Sequence, residues 1–236
     1  MSRRLPAPVT RSLTVLGAAA LVLSTWGAAA GAAPSYTAAD TWIIKAIGTE
    51  QHVGSVHIKG SITQGTTTIN VSLVVNGDGE GGGTFVESGS VIQLKRVGPL
   101  LYFNAPRKFW HAHATAARAR AYGGKWIEVS ALDKRFQSFD QFLNAGDLVA
   151  AVFAGHPTPL TVSGPTRYQR HTVVILGDTF TQKGKRSTGS MYLSATGPAI
   201  VYKIVERSPT ESGTITFSHY GPAVSITTPP EPINLS

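Results

Sequence analysis

The most constraining stretch of the sequence is the run around 68–75. Ile69, Val71, Leu73 and Val75 alternate there with Thr68, Asn70 and Ser72. A period of two places the apolar side chains on one face of a strand and the polar ones on the other. Such a strand belongs in an antiparallel sheet with one covered and one solvated face. A similar alternation precedes it, with Val56, Ile58 and Ile62 against His57, Lys59 and Ser61. The run Asn76-Gly77-Asp78-Gly79-Glu80-Gly81-Gly82-Gly83 is turn chemistry and reads as a flexible hairpin loop. It has no following helix and no Lys-Ser/Thr end, so it does not read as a phosphate cradle.

Further strands are expected at about 83–87, 90–96, 100–104 and 125–129. Others follow at about 159–162, 166–177, 189–195, 199–206 and 213–219. Helices are expected in four places. Trp42, Ile43, Ala46 and Ile47 predict a helix over 38–51. An Ala-rich run over 109–121 predicts another, ended by Gly123-Gly124. Phe136, Phe139, Phe142 and Leu143 share a helical face, and a second short helix near 146–154 presents Leu148, Val149, Val152 and Phe153. The tail Thr227-Thr228-Pro229-Pro230-Glu231-Pro232 reads as extended and loose.

Strands in runs, with helices inserted between the runs, indicate an α+β fold and not alternating βα units. One strongly curved antiparallel sheet of about ten strands, a half-barrel with helices across its concave face, satisfies this order. Curling of that kind can leave an apolar cleft between sheet and helices.

The N-terminus predicts export. Arg3, Arg4 and Arg11 precede a charge-free stretch, 12–33, that ends in small residues. This is the pattern of a secretory signal, with cleavage expected near Ala32 or, as the other choice, Ala30. The alternative is an uncleaved anchor, for which 12–33 is long enough. The expected division is a signal at 1–32, a single domain over 33–226 and a Pro-rich tail at 227–236. The protein is placed in the cell envelope or the secreted fraction. Cysteine is absent, which excludes disulfides and lipidation at a cysteine after the signal. With 14% charged and 42% hydrophobic residues the composition is globular.

The net charge is +8, of which Arg3, Arg4 and Arg11 supply three, leaving about +5 on a mature chain. Such a surface favours anionic partners, including phospholipid headgroups and acidic envelope polymers. The basic residues read as scattered along the chain, and no nucleic-acid motif is present, so no nucleic-acid partner is expected.

Catalytic signals are missing. His111-Ala112-His113 has the spacing closest to a metal pair, but on a helix the two side chains point about 200° apart. On a strand they would share a face, without Cys, Asp or Glu nearby to complete a site. His52, His57, His156, His171 and His219 have no ligand-type spacing. No Gly-x-Ser-x-Gly elbow occurs. The acids, among them Glu87, Glu128, Asp133, Asp140 and Asp147, show no pattern for glycoside cleavage. Asn70-Val71-Ser72 matches a glycosylation triplet but reads as strand alternation. No catalytic residue, metal site or cofactor is expected.

Four passages together resemble a known family. They are Gln51-His52-Val53-Gly54-Ser55-Val56-His57-Ile58-Lys59-Gly60, the glycine-rich turn 77–83, Val97-Gly98-Pro99-Leu100-Leu101-Tyr102-Phe103-Asn104 with Phe109-Trp110, and Gly123-Gly124-Lys125-Trp126-Ile127-Glu128-Val129 before an aromatic helix. In this order the chain resembles the LolA/LppX-type superfamily of bacterial envelope lipoprotein and lipid carriers, especially its LppX/LprG-like branch. The likeness covers about 38–153. Many relatives carry a lipobox cysteine, and this chain has none, so a lipid-anchored form is in doubt. The resemblance implies a half-barrel whose apolar inner space holds acyl chains, with no enzymatic activity.

An acyl chain gains about 0.8 kcal/mol per CH₂ taken out of water, so carriage asks for a continuous apolar lining and no reactive group. The expected lining is Ile58, Val71, Leu73, Phe85, Leu94, Leu101 and Phe103 from the sheet. Trp110, Phe139, Phe142 and Leu143 would come from the helices. The same residues also suit an ordinary filled core. The expected partner is a lipid or acylated ligand, bound by a monomer. The alternative function is an envelope sensor or interaction module that binds another protein through the same fold.

Overall fold

The computed structural model describes residues 37–134, 136–153, 160–182 and 185–235. The leader-like segment, and with it the choice between signal and anchor, lies outside the described residues. No helix among the described residues is long and apolar enough to cross a membrane.

Helix α1 (Ala38–Glu50) starts where Thr37 and Asp40 cap each other. The Asp40 amide donates to Thr37 Oγ1 (3.2 Å) and the Thr37 amide to Asp40 Oδ2 (2.7 Å). This satisfies two amides that a helix start would leave open. A meander follows: β1 (Ser55–Gln64), β2 (Thr67–Asn76), β3 (Gly81–Glu87), β4 (Ser90–Val97) and β5 (Leu100–Asn104). Two short helices, α2 (Arg107–His113) and α3 (Ala116–Tyr122), lead to β6 (Trp126–Ser130). Then come α4 (Gln137–Phe142), α5 (Ala145–Phe153) and a second meander, β7 (Thr161–Tyr168), β8 (His171–Gln182), β9 (Lys185–Ser194), β10 (Val201–Arg207) and β11 (Glu211–Gly221).

All strands join one open sheet, in the order β12-β6-β5-β4-β3-β2-β1-β11-β10-β9-β8-β7, where β12 is Ile233–Asn234. The two meanders therefore run outward in opposite directions from the β1–β11 pair at the centre. Every pair is antiparallel except β12 with β6. The result is the half-barrel expected, with helices on its concave side. It has twelve strands, not about ten.

The alternation of β2 places Ile69, Val71, Leu73 and Val75 inward, all at most 5% exposed. Gly83 sits opposite Leu73 with φ +152°, a conformation that L side chains rarely adopt. A Cβ there would meet the Ser72 carbonyl oxygen, so the strand can pass this close only as glycine.

Four local expectations need correction. The Ala-rich run is two helices, because Ala114 is extended and Thr115 caps a new start, accepting from the Arg118 amide at 3.3 Å. The strand expected over 166–177 is a hairpin that turns at Gln169-Arg170, with Gln169 in the left-handed region at φ +53°. No glycine or proline marks that turn, so nothing in the residues interrupts the expected strand there. The glycine-rich turn is tied down and not a free loop. Gly77 donates to the Val53 carbonyl (3.0 Å), and Gly98 donates to the Glu80 carboxylate (2.9 Å).

The fourth correction concerns the tail, which is extended but docked. Asn76 exchanges two hydrogen bonds with the Val224 backbone, at 2.8 and 3.0 Å. Lys95 Nζ reaches the Thr227 carbonyl at 2.9 Å, and the Tyr102 hydroxyl bonds Thr228. The chain then pairs with β6 (Ile233 beside Ile127), and the Leu235 amide donates to the Glu128 carbonyl at 3.0 Å. The tail thus crosses the outer face of β2 to β5 and covers an open sheet edge. It also buries Tyr102, an outward-facing side chain only 2% exposed. Removing residues 233–236 should cost roughly 1–3 kcal/mol, the worth of a few hydrogen bonds. Hydrogen exchange should show the loss first at the amides of β6.

Candidate functional site

Strand register converts the inward residues into rows. One row crosses seven strands through Phe217, Ile58, Leu73, Gly83, Leu94, Phe103 and Ile127. The next crosses eight through Leu176, Met191, Ile204, Ile215, Gly60, Val71, Phe85 and Ile92. Leu101 belongs to a third, between Arg96 and Val129. At ~4.8 Å per strand the eight-strand row spans roughly 34 Å around the curve. Neither of the first two rows contains a charged residue.

The helices close over these rows with aromatic side chains. Phe85 meets Phe139 edge-on (ring centres 5.6 Å apart, planes at 90°) and Phe142 at 5.1 Å and 80°. Phe103 packs between Trp110 at 5.4 Å and Phe136 at 4.9 Å. Edge-on and tilted contacts are the favoured ring geometries. All eleven residues of the expected lining lie in this one layer, each at most 4% exposed. Their rings touch one another and fill the space under α2 and α4. Arg96 on β4 pairs with Asp140 on α4 at 3.1 Å and holds that helix to the sheet. Burial raises the Asp140 pKa while Arg96 lowers it.

Trp110 Nε1 and Glu50 Oε2 are buried polar atoms of this layer with no hydrogen-bond partner among the described residues. Trp110 is enclosed by Phe103, Phe109 and Tyr122. Glu50, the last residue of α1, is fully buried. Its Oε1 accepts from the Val201 amide (3.0 Å) and the Tyr220 hydroxyl (2.7 Å). The Tyr220 oxygen also lies 2.6 Å from the Val201 carbonyl. Burial outweighs both hydrogen bonds and pushes the Glu50 carboxyl up to about 7. Tyr220 is pushed up as well, by burial and by the Glu50 charge, and stays a neutral phenol. The clasp joins α1 to β10 and β11 across the concave side.

Sequence reasoning passed over Glu50. The available signal was its position, since a carboxylate at a helix C-terminus opposes the helix dipole and calls for a partner elsewhere.

The outer face carries a cleft of about 380 Å³ between β3, β4 and the tail, with Trp126, Gln93 and Lys95 in its walls. Lys95 Nζ lies 5.6 Å from the centre of the Trp126 ring. The histidines of α2 diverge as a helix requires. His111 accepts from Arg107 Nε at 3.3 Å, and the His113 ring lies 4.4 Å from that of Phe109 with the planes tilted by 41°. No group of three His, Asp or Glu able to hold a metal occurs among the described residues.

No family model matches the chain, and no curated protein matches it. Solved structures do. LprF from Mycobacterium bovis is 14% identical with a TM-score of 0.48, covering 81% of this chain and 96% of its own. The Mycobacterium tuberculosis lipoprotein LppX is 11% identical with a TM-score of 0.49, covering 82% of this chain and all of its own.

Proposed function

We propose that this protein binds and carries a lipid or acylated ligand outside the cytoplasmic membrane, without making or breaking bonds. The observation that carries the reading is the pair of uncharged apolar rows that cross seven and eight strands under a lid of separate short helices. An acyl chain asks only for such a lining. The eleven residues from Ile58 to Leu143 named above are the proposed contacts. Opening the layer means displacing the rings of Phe139 and Phe142 from Phe85. Trp110 Nε1, a buried donor with no partner among the described residues, suits a carbonyl or ester oxygen of the ligand.

Native mass spectrometry of protein purified from its own host tests this reading. A fraction heavier than the chain by the mass of a lipid, with that lipid recovered by extraction, is the expected result. Protein of apo mass alone, with no lipid in the extract, would overturn it.

A second reading has its own support. The aromatic contacts under α2 and α4 fill that part of the layer, as a module that recognises another envelope protein would require. A stable protein partner recovered from envelope extract, with no lipid bound, would decide for it.

A further inference from the structure

Between Ser88 and Ile127 the chain has seven Lys or Arg residues and no Asp or Glu. Five of the seven, Arg107, Lys108, Arg118, Arg120 and Lys125, lie on α2, α3 and the turn after them, and all five are exposed. The charges that read as scattered in the sequence are therefore gathered on one helical hairpin. None of the five has a carboxylate partner among the described residues. Lys108 reaches only the Ser88 carbonyl (3.2 Å), and Arg107 only His111.

The start of α2 is locally unfavourable as a helical design. Neither helix has an acid in its first turn, and α2 opens on Arg107-Lys108 with no side-chain cap. Cations at a helix start oppose the dipole. Where a chain breaks a local rule without compensation, function is the usual reason. The hairpin is nevertheless held rigidly. Phe109, Trp110 and Ala119 are buried beneath it, and the Gly124 amide donates to the Ala105 carbonyl at 2.8 Å.

We propose that the exposed face of α2 and α3 docks the protein on an anionic lipid surface. Between the cations this face presents Ala112, Ala116, Ala117 and Ala121, all exposed. Alanines let the long side chains spread and bring the helices close to a plane of headgroups. They offer no aromatic plate on which a sugar or a base would stack. Arg118 and Arg120 splay to either side of the buried Ala119, so the five cations suit an extended plane of closely spaced negative charges, each contact strengthening binding roughly fivefold. The inference goes beyond ligand carriage and does not need it, because a filled or an open inner layer leaves this face unchanged.

Co-sedimentation with vesicles tests it, using protein purified from its host. One vesicle set is phosphatidylcholine alone and the other also contains phosphatidylglycerol. The protein should bind the anionic vesicles, bind the neutral ones weakly, and be released by salt. The variant carrying Arg107→Gln, Lys108→Gln, Arg118→Gln, Arg120→Gln and Lys125→Gln should lose at least roughly a hundredfold in affinity. Arg167→Gln with Arg170→Gln, exposed positions on the distant β7–β8 edge, should leave binding unchanged. A variant with lysine at all three arginines of the hairpin should bind as the parent does, which separates charge from folding. Four results would overturn the proposal. They are equal binding to neutral vesicles, an unaffected five-fold variant, an equal loss from the β7–β8 pair, and binding to polyphosphate but to neither vesicle set.

Discussion

Phe85→Ala should lower folding stability by about 3–5 kcal/mol, the usual cost of truncating a buried phenylalanine. Phe85 is 2% exposed, stands between Val71 and Ile92 in the eight-strand row, and receives the edges of Phe139 and Phe142. Its loss removes the contact surface of α4 together with the side chain's own burial. Val91→Ala, on the outer face of β4 and 50% exposed, should change stability by less than about 0.5 kcal/mol. Urea unfolding of the two variants checks the difference. A cost below about 1 kcal/mol for Phe85→Ala would mean that the layer is not packed as the ring geometry indicates. Native mass spectrometry of the same variant also bears on function. If the layer takes acyl chains, the void left by Phe85 should keep lipid bound at reduced stability.

The pH dependence of stability should change with Glu50→Gln. A carboxyl whose folded-state pKa lies above its ordinary value holds its proton more tightly in the native state. Folding therefore carries no penalty below the ordinary value of 4.5. The penalty grows as pH rises and is complete above about 7. At 1.36 kcal/mol per pKa unit the loss over this window is about 3 kcal/mol. His57 titrates nearby with the opposite sign. Burial, with Lys59 and His219 beside it, lowers its pKa, so its contribution improves as pH rises. Both His57 and the remaining groups are common to parent and variant, so the difference between the two curves isolates Glu50. The amide of Glu50→Gln can still accept from Val201 and Tyr220. It also places an NH₂ where Oε2 lacked a partner, so absolute stability at low pH should fall while the slope between pH 4.5 and 7 flattens. Parallel curves from urea unfolding across this range would show that Glu50 is not the buried acid.

The two results also separate the roles of the two ends of the inner layer. Phe85 reports on packing between α4 and the sheet, which needs no charge. Glu50 reports on how α1 is held to β10 and β11, where a single hydrogen-bonded oxygen must offset the burial of a whole carboxyl group.

Much of this architecture is legible in the residues because strands and helices are periodic. The alternation of Ile69, Val71, Leu73 and Val75 sets the inner face of β2 whatever its neighbours are. The same reasoning placed Ile58, Phe85, Leu94 and Phe103 on the inner face of theirs. Helical spacing placed Phe139, Phe142 and Leu143 on one side of their segment. Thr115 was a readable helix cap hidden in an alanine run, and with the extended Ala114 before it explains why α2 and α3 are separate. The left-handed Gln169 carried no such mark, because nothing about a glutamine announces positive φ.

What the sequence by itself determined is therefore local: which side chains face inward, and that no cysteine joins any two parts. Only the tertiary structure decided which inward side chains share a row, because register depends on how strands far apart in the chain meet. The pairing of β1 with β11 puts Ile58 beside Phe217 across more than half the chain. The same distance in sequence hid the Glu50 clasp with Val201 and Tyr220. It also hid the docking of a proline-rich tail whose composition reads as loose. Hydrogen bonds to Asn76, Lys95 and Glu128 hold that tail, and none of those partners is near it in the chain.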